Sequence, residues 1–122
     1  SPPSCEITVL MRATDPSLEG ADLTPRRGAG KDYERAVQYY SEAIALCPTN
    51  AIYYGNRSLA HLRAESYGYA LADATRALEL DGAYVKGYYR RAASNMALGK
   101  FKAALVSLQL CWGTKRHLQG CQ

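Results

Sequence analysis

From Lys31 onward, apolar and small residues recur three and four positions apart, with charged and polar residues between them. That spacing predicts amphipathic helices, and no alternating stretch offers a competing strand. The pattern breaks at turn residues. Pro48 follows Ala45-Leu46-Cys47, Asp81-Gly82 punctuates the chain further on, and Gly99-Lys100 makes a third break. The helices are therefore expected at about 32–46, 51–64, 68–80, 84–97 and 101–112. Residues 1–30 break the pattern differently, with Pro25 and glycines at 20, 28 and 30 opposing a stable helix. A flexible or irregular leader is expected there, with at most a turn of helix near Pro16–Glu19. At the other end, Cys111-Trp112-Gly113 is expected to close the last helix, leaving 113–122 as a basic polar tail without a capping helix.

The helices repeat. Sliding the chain along itself by one constant offset aligns Tyr33 with Tyr67 and Phe101, then Ala36 with Ala70 and Ala104. The same shift aligns Tyr40, Ala74 and Leu108, then Ala43, Ala77 and Cys111. Tyr54 falls on Tyr88, Ser58 on Ala92, and Leu62 on Met96. A period of 34 is that of tetratricopeptide helix-turn-helix repeats, and 31–112 holds about two and a half of them. Small residues at 36, 43, 70, 77, 92 and 104 would let helices approach closely. Aromatics at 33, 40, 54, 67, 88 and 101 would fill the spaces between them. The expected fold is an all-α repeat array, and Tyr53, Tyr54, Tyr88 and Tyr89 are read as packing residues rather than ligand contacts.

Composition narrows the function. The chain has 122 residues, enough for one domain and too few for a repeat array joined to a catalytic domain. No apolar run approaches the roughly 20 residues that cross a bilayer, so no membrane partner is expected. The start, Ser1-Pro2-Pro3-Ser4-Cys5, lacks the basic and apolar regions of a signal peptide, which makes a cytoplasmic or nuclear location the expectation. Cys5, Cys47, Cys111 and Cys121 show no CxxC spacing and no zinc-ligand interval to His61 or His117. No metal or cofactor is expected, and the cysteines within helices are read as small free hydrophobes. Residues 1–30 carry three basic and four acidic groups, a net −1, so residues 31–122 carry +5, which suits an acidic partner.

The run Asn50-Ala-Ile-Tyr-Tyr-Gly-Asn-Arg-Ser-Leu-Ala60, with Gly87-Tyr-Tyr-Arg-Arg-Ala-Ala-Ser-Asn-Met-Ala-Leu-Gly-Lys-Phe101 further on, resembles the tetratricopeptide domains of the serine/threonine protein phosphatase 5 family. The likeness runs through Leu105 and, more loosely, back to Lys31. It implies a module that binds the acidic C-terminal tail of heat-shock protein 90 and, in full-length members, folds over and restrains a phosphatase catalytic domain. None of that domain's metal-binding motifs occur here, so no enzymatic activity and no catalytic residue is expected.

Residue spacing points independently to a peptide groove. Lys86 and Arg90 are one helical turn apart, and Asn56 lies one full period before Arg90, at the equivalent place in the preceding repeat. First helices of such repeats line the concave surface, so an ammonium, a guanidinium and an amide should converge there as donors for a carboxylate. The three match positions of the family's carboxylate clamp, and Arg63 would add a basic contact at the groove's edge. The clamp's two remaining places fall on Ala21 and Pro25.

Other chemistries fit less well. Gly28-Ala29-Gly30-Lys31 lacks the glycine and hydroxyl residues a phosphate loop needs, since Pro25 and Asp32 stand in their places. Asn56-Arg57-Ser58 is a formal glycosylation sequon inside a predicted helix. Neither histidine has a nucleophile with an orienting acid. Two alternatives remain beside peptide binding. One is single-stranded RNA binding by stacked tyrosines with Arg90-Arg91, although the polar positions do not recur in every repeat as base readers would. The other is self-association through uncapped ends.

Overall fold

The computed structural model describes the chain from Ala29 to Gly120, with side chains described for 33–116. Five helices follow one another: α1 (Ala29–Leu46), α2 (Ala51–Arg63), α3 (Tyr67–Leu80), α4 (Val85–Ala97) and α5 (Phe101–Gly120). Each packs on the next, and α2 also meets α4 across the intervening helix. This is the arrangement of stacked helix-turn-helix pairs, in which α2 and α4 are the first helices of successive repeats.

The turns explain themselves chemically. The Asn50 side chain caps α2 by accepting from the Ile52 amide at 3.0 Å. After α4 the chain turns at Gly99, whose φ is +78°, and the Lys100 amide reaches back to the Asn95 carbonyl at 2.8 Å. One repeat earlier the same left-handed turn is made by Glu65, φ 61°, with Ser66 N–H donating to the His61 carbonyl at 2.8 Å.

The core follows the small residues. Ala70, Ala74 and Ala77 on α3 are completely enclosed, and Ala36, Ala43, Ala92 and Ala104 are buried as the spacing predicts. Tyr40 and Tyr53 pack with Ala36, Ala43 and Ala60 between α1 and α2, with Val37 and Ile44 against them. The enclosed Ser58 Oγ donates to the Ala70 carbonyl at 2.6 Å, so the hydroxyl in the tight α2–α3 seam is satisfied.

The 34-residue offset persists in the hydrogen bonds. Tyr54 Oη donates to the Pro48 carbonyl at 3.1 Å, and Tyr88 Oη to the Gly82 carbonyl at 2.7 Å. Arg57 lies 5.7 Å from the Tyr54 ring centroid, and Arg91 5.4 Å from that of Tyr88. Each of these two repeats therefore builds the same Tyr–Arg stack.

Several expectations change. Helix α5 does not stop at Trp112 but continues through Gly113 to Gly120. One glycine costs only about 1 kcal/mol in a helix, and no proline follows it to enforce an end. At the other end α1 already starts at Ala29, while the rest of the expected leader lies outside the described residues. Phe101 is exposed rather than packed, because no described helix follows α5 to cover it, and Tyr89 faces solvent rather than the core. Cys47 is disulfide-bonded rather than free, whereas Cys111 is a free buried thiol.

Candidate functional site

The concave face is built by α2 and α4, and its centre depends on an absence. Gly55 carries no side chain, and the ring of Tyr84, the residue preceding α4, lies across it so closely that a Cβ there would collide with the ring. Tyr84 thereby brings its hydroxyl to the α2–α4 seam. Arg90 Nη1 donates to that hydroxyl at 2.9 Å and to Asn56 Oδ1 at 3.4 Å. Arg90 is only 8% exposed, yet among the described residues no carboxylate pairs with it. Its guanidinium is held by neutral oxygens, and its charge is uncompensated within the site.

The predicted residues are only partly gathered. Asn56 and Arg90 are bonded to each other, as their 34-residue separation implies. Lys86 stands exposed one turn before Arg90 on α4, and Arg63 is exposed at the C-terminal end of α2. In repeat register Lys86 is level with Ile52 and Arg63 with Ala97, so the two cations flank the central pair at opposite ends of the face. Ala21 and Pro25 lie outside the described residues.

Arg91, paired with Arg90 in the RNA reading, is directed inward. Its Nε donates to Ser107 Oγ at 3.0 Å while the guanidinium rests on Tyr88. A second charged cluster supports the back of α2. Arg57 Nε and Nη2 grip both Asp73 oxygens at 2.8 and 2.7 Å, and Nη1 donates to Ser41 Oγ at 3.2 Å, linking α1, α2 and α3. The carboxylate bond raises the Arg57 pKa further. His61 lies 3.6 Å from the same carboxylate and is stacked on Tyr69, yet its pKa is lowered. Burial dominates, and Asp73's favourable charge is opposed by that of Arg57.

Tyr84 and Gly55 were not singled out from the sequence. The repeat hides Tyr84, because its counterpart one period earlier is the capping Asn50. Gly55 did leave a signal: a glycine inside a helical pattern often marks a close backbone approach.

No family model matches the chain. It is 69% identical over 87 residues to human serine/threonine-protein phosphatase 5, a stretch covering 71% of this chain and 17% of that protein. The chain thus spans about a sixth of the length of this curated relative, and the matched part lies within its repeats rather than a catalytic domain. Among solved structures it resembles the Arabidopsis OM64 TPR domain, with TM-score 0.76 and 28% identity over 93% of this chain and 86% of that one. It also resembles the second TPR of Spaghetti (RPAP3) bound to the HSP90 peptide SRMEEVD, with TM-score 0.74 and 30% identity over 91% of this chain and 87% of that one.

Proposed function

Since the chain is a tetratricopeptide-repeat array, a protein-interaction module akin to the repeat region of protein phosphatase 5, we propose that its concave face holds the acidic C-terminal tail of heat-shock protein 90. The observation that carries this reading is Arg90, a buried guanidinium with neutral hydrogen-bond partners and no carboxylate of its own among the described residues. A terminal carboxylate would supply the missing charge, with the Asn56 amide as a second donor. Lys86 and Arg63 would meet acidic side chains on either side. The complex of a structural neighbour with SRMEEVD supports the reading, since this architecture accommodates such a tail there.

On the family resemblance Asn56, Lys86 and Arg90 would take three of five clamp positions, and in repeat register the other two fall on Ala21 and Pro25. Each charge-assisted bond contributes about 1.5–3 kcal/mol. Losing two weakens binding by about a hundredfold or more relative to a complete clamp. In full-length relatives the same module would also rest on a phosphatase catalytic domain, which is the second partner we propose for a chain joined to one.

Calorimetric titration with SRMEEVD, as free acid and as C-terminal amide, tests the reading. Binding of the acid, and at least tenfold weaker binding of the amide, is expected. No heat at high-micromolar free acid, from a sample shown to be helical, overturns it.

A further inference from the structure

We propose that the outer face of α5 is a second docking surface, for an amphipathic helix of a partner protein whose apolar stripe is flanked by acidic side chains. Phe101, Leu105, Leu108 and Trp112 are 63%, 56%, 37% and 66% exposed. Their 4-3-4 spacing is the seam that a second helix fills. A groove of about 420 Å³ runs along Leu105, Leu108 and Trp112 and is open at Gly113, where a Cβ would meet nothing within 4 Å.

The repeat itself says what belongs there. One period earlier the same stripe is Tyr67, Leu71, Ala74 and Leu78, and α4 covers it. Ala74 is fully enclosed, and the Leu78 side chain sits so close to Gly87 that its Cδ2 would be 2.9 Å from a Cβ there. A further period back the stripe is Tyr33, Val37, Tyr40 and Ile44, of which Tyr40 packs with Tyr53 and Ala60 of α2 and Val37 and Ile44 lie against that cluster. Two of three equivalent stripes are thus buried or half-buried along their length, each on a helix against which the next one packs. The third is bare among the described residues, and a helix laid on α5 as α4 lies on α3 would bury it.

Charge selects the kind of helix. No Asp or Glu occurs after Asp81, and exposed Lys102, Lys115 and Arg116 lie around the stripe. A second copy of α5 would bring cations against cations. An acid-flanked helix gains attraction instead, and discrimination against basic ones.

Trp112 is the only tryptophan and lies in the groove, so its emission reports occupancy. The full chain is titrated with a synthetic amphipathic helix carrying leucines at heptad spacing flanked by glutamates, and with its lysine-flanked counterpart. A saturable blue shift at micromolar glutamate peptide is expected, with at least tenfold weaker response to the lysine peptide. Leu105→Lys should abolish binding of fluorescein-labelled peptide while circular dichroism stays helical. Phe101→Gln, at a still more exposed position, should weaken it at least threefold and serves if Leu105→Lys unfolds. No shift with the glutamate peptide, equal response to both peptides, or binding unaffected in both folded variants overturns the proposal. So does sedimentation showing a dimer whose Trp112 emission is already blue and indifferent to peptide, because a second copy then occupies the face.

Discussion

Arg90 Nη1 donates to the Tyr84 hydroxyl at 2.9 Å, from a residue six positions earlier that lies outside the helix Arg90 belongs to. The bond fixes a long, rotamer-rich side chain before any ligand arrives, which lowers the ordering cost of binding. Tyr84→Phe keeps the ring over Gly55 and removes only the oxygen. It should weaken SRMEEVD about fivefold, the equivalent of one neutral hydrogen bond of about 1 kcal/mol. Arg90→Ala should weaken it between about tenfold and a hundredfold. Arg76→Ala, which removes an exposed partner of Glu79 on α3, should change affinity less than twofold. Calorimetry on the three variants checks the order, and equal effects of Arg90→Ala and Arg76→Ala would indicate diffuse charge attraction instead.

Gly55→Ala tests the close approach beneath Tyr84. At an ordinary helix position this change would stabilise by about 1 kcal/mol. Here the new methyl meets the Tyr84 ring from Cε1 to the hydroxyl. Overpacking of that kind costs about 1–3 kcal/mol, so the thermal midpoint should fall rather than rise. Displacing Tyr84 should weaken the peptide as well.

Glu65 occupies the left-handed turn that Gly99 makes one repeat later, with φ values of 61° and 78°. A side chain in that region costs about 1–2 kcal/mol, while glycine loses about 0.5–1 kcal/mol more backbone entropy on folding. Glu65→Gly should therefore stabilise by about 0.5–1 kcal/mol, read as a higher denaturation midpoint with an unchanged denaturant slope.

These cases show what spacing can and cannot carry. The buried alanines at 36, 43, 70, 77, 92 and 104 were all legible, because a repeat repeats its close contacts. The convergence of Asn56 and Arg90 was legible for the same reason, since they hold equivalent places on α2 and α4, although the bond between them was not foreseen. Tyr84 was not, since it replaces a capping asparagine and acts only through a contact its counterpart never makes. The reach of α5 to Gly120 was missed because Gly113 resembles a stop, and a single glycine is too cheap to be one.

His61 predicts a pH dependence. Its folded pKa lies below the ordinary 6.5, chiefly through burial. Between the folded and unfolded values the unfolded chain binds more protons, so stability falls as pH drops through about 6.5 toward the folded value. It is fully retained above 6.5. His61→Gln should lessen the drop in thermal midpoint between about pH 7 and pH 5 relative to the parent chain. An identical drop in both would remove His61 as its source.

Asp73 and Ser107 stand one period apart and face the same kind of partner, Arg57 and Arg91, each 16 residues earlier. The first pair is a two-bond ion pair at 2.7 and 2.8 Å, with Asp73 buried and Arg57 partly exposed. The second is one bond to a hydroxyl at 3.0 Å. Asp73→Ala leaves the Arg57 charge without its counterion and should cost about 2–3 kcal/mol, somewhat less than a fully buried pair because Arg57 retains access to water. Ser107→Asp is the reverse experiment. The second repeat already shows that an aspartate fits this place on a second helix, and Arg91 is aligned on its Tyr88 ring as Arg57 is on Tyr54. A carboxylate at 107 should stabilise by about 1 kcal/mol, with the gain lost in an Arg91→Met background. A double-mutant cycle read from thermal midpoints decides it, and a gain that survives without Arg91 would assign the effect to helix α5 alone.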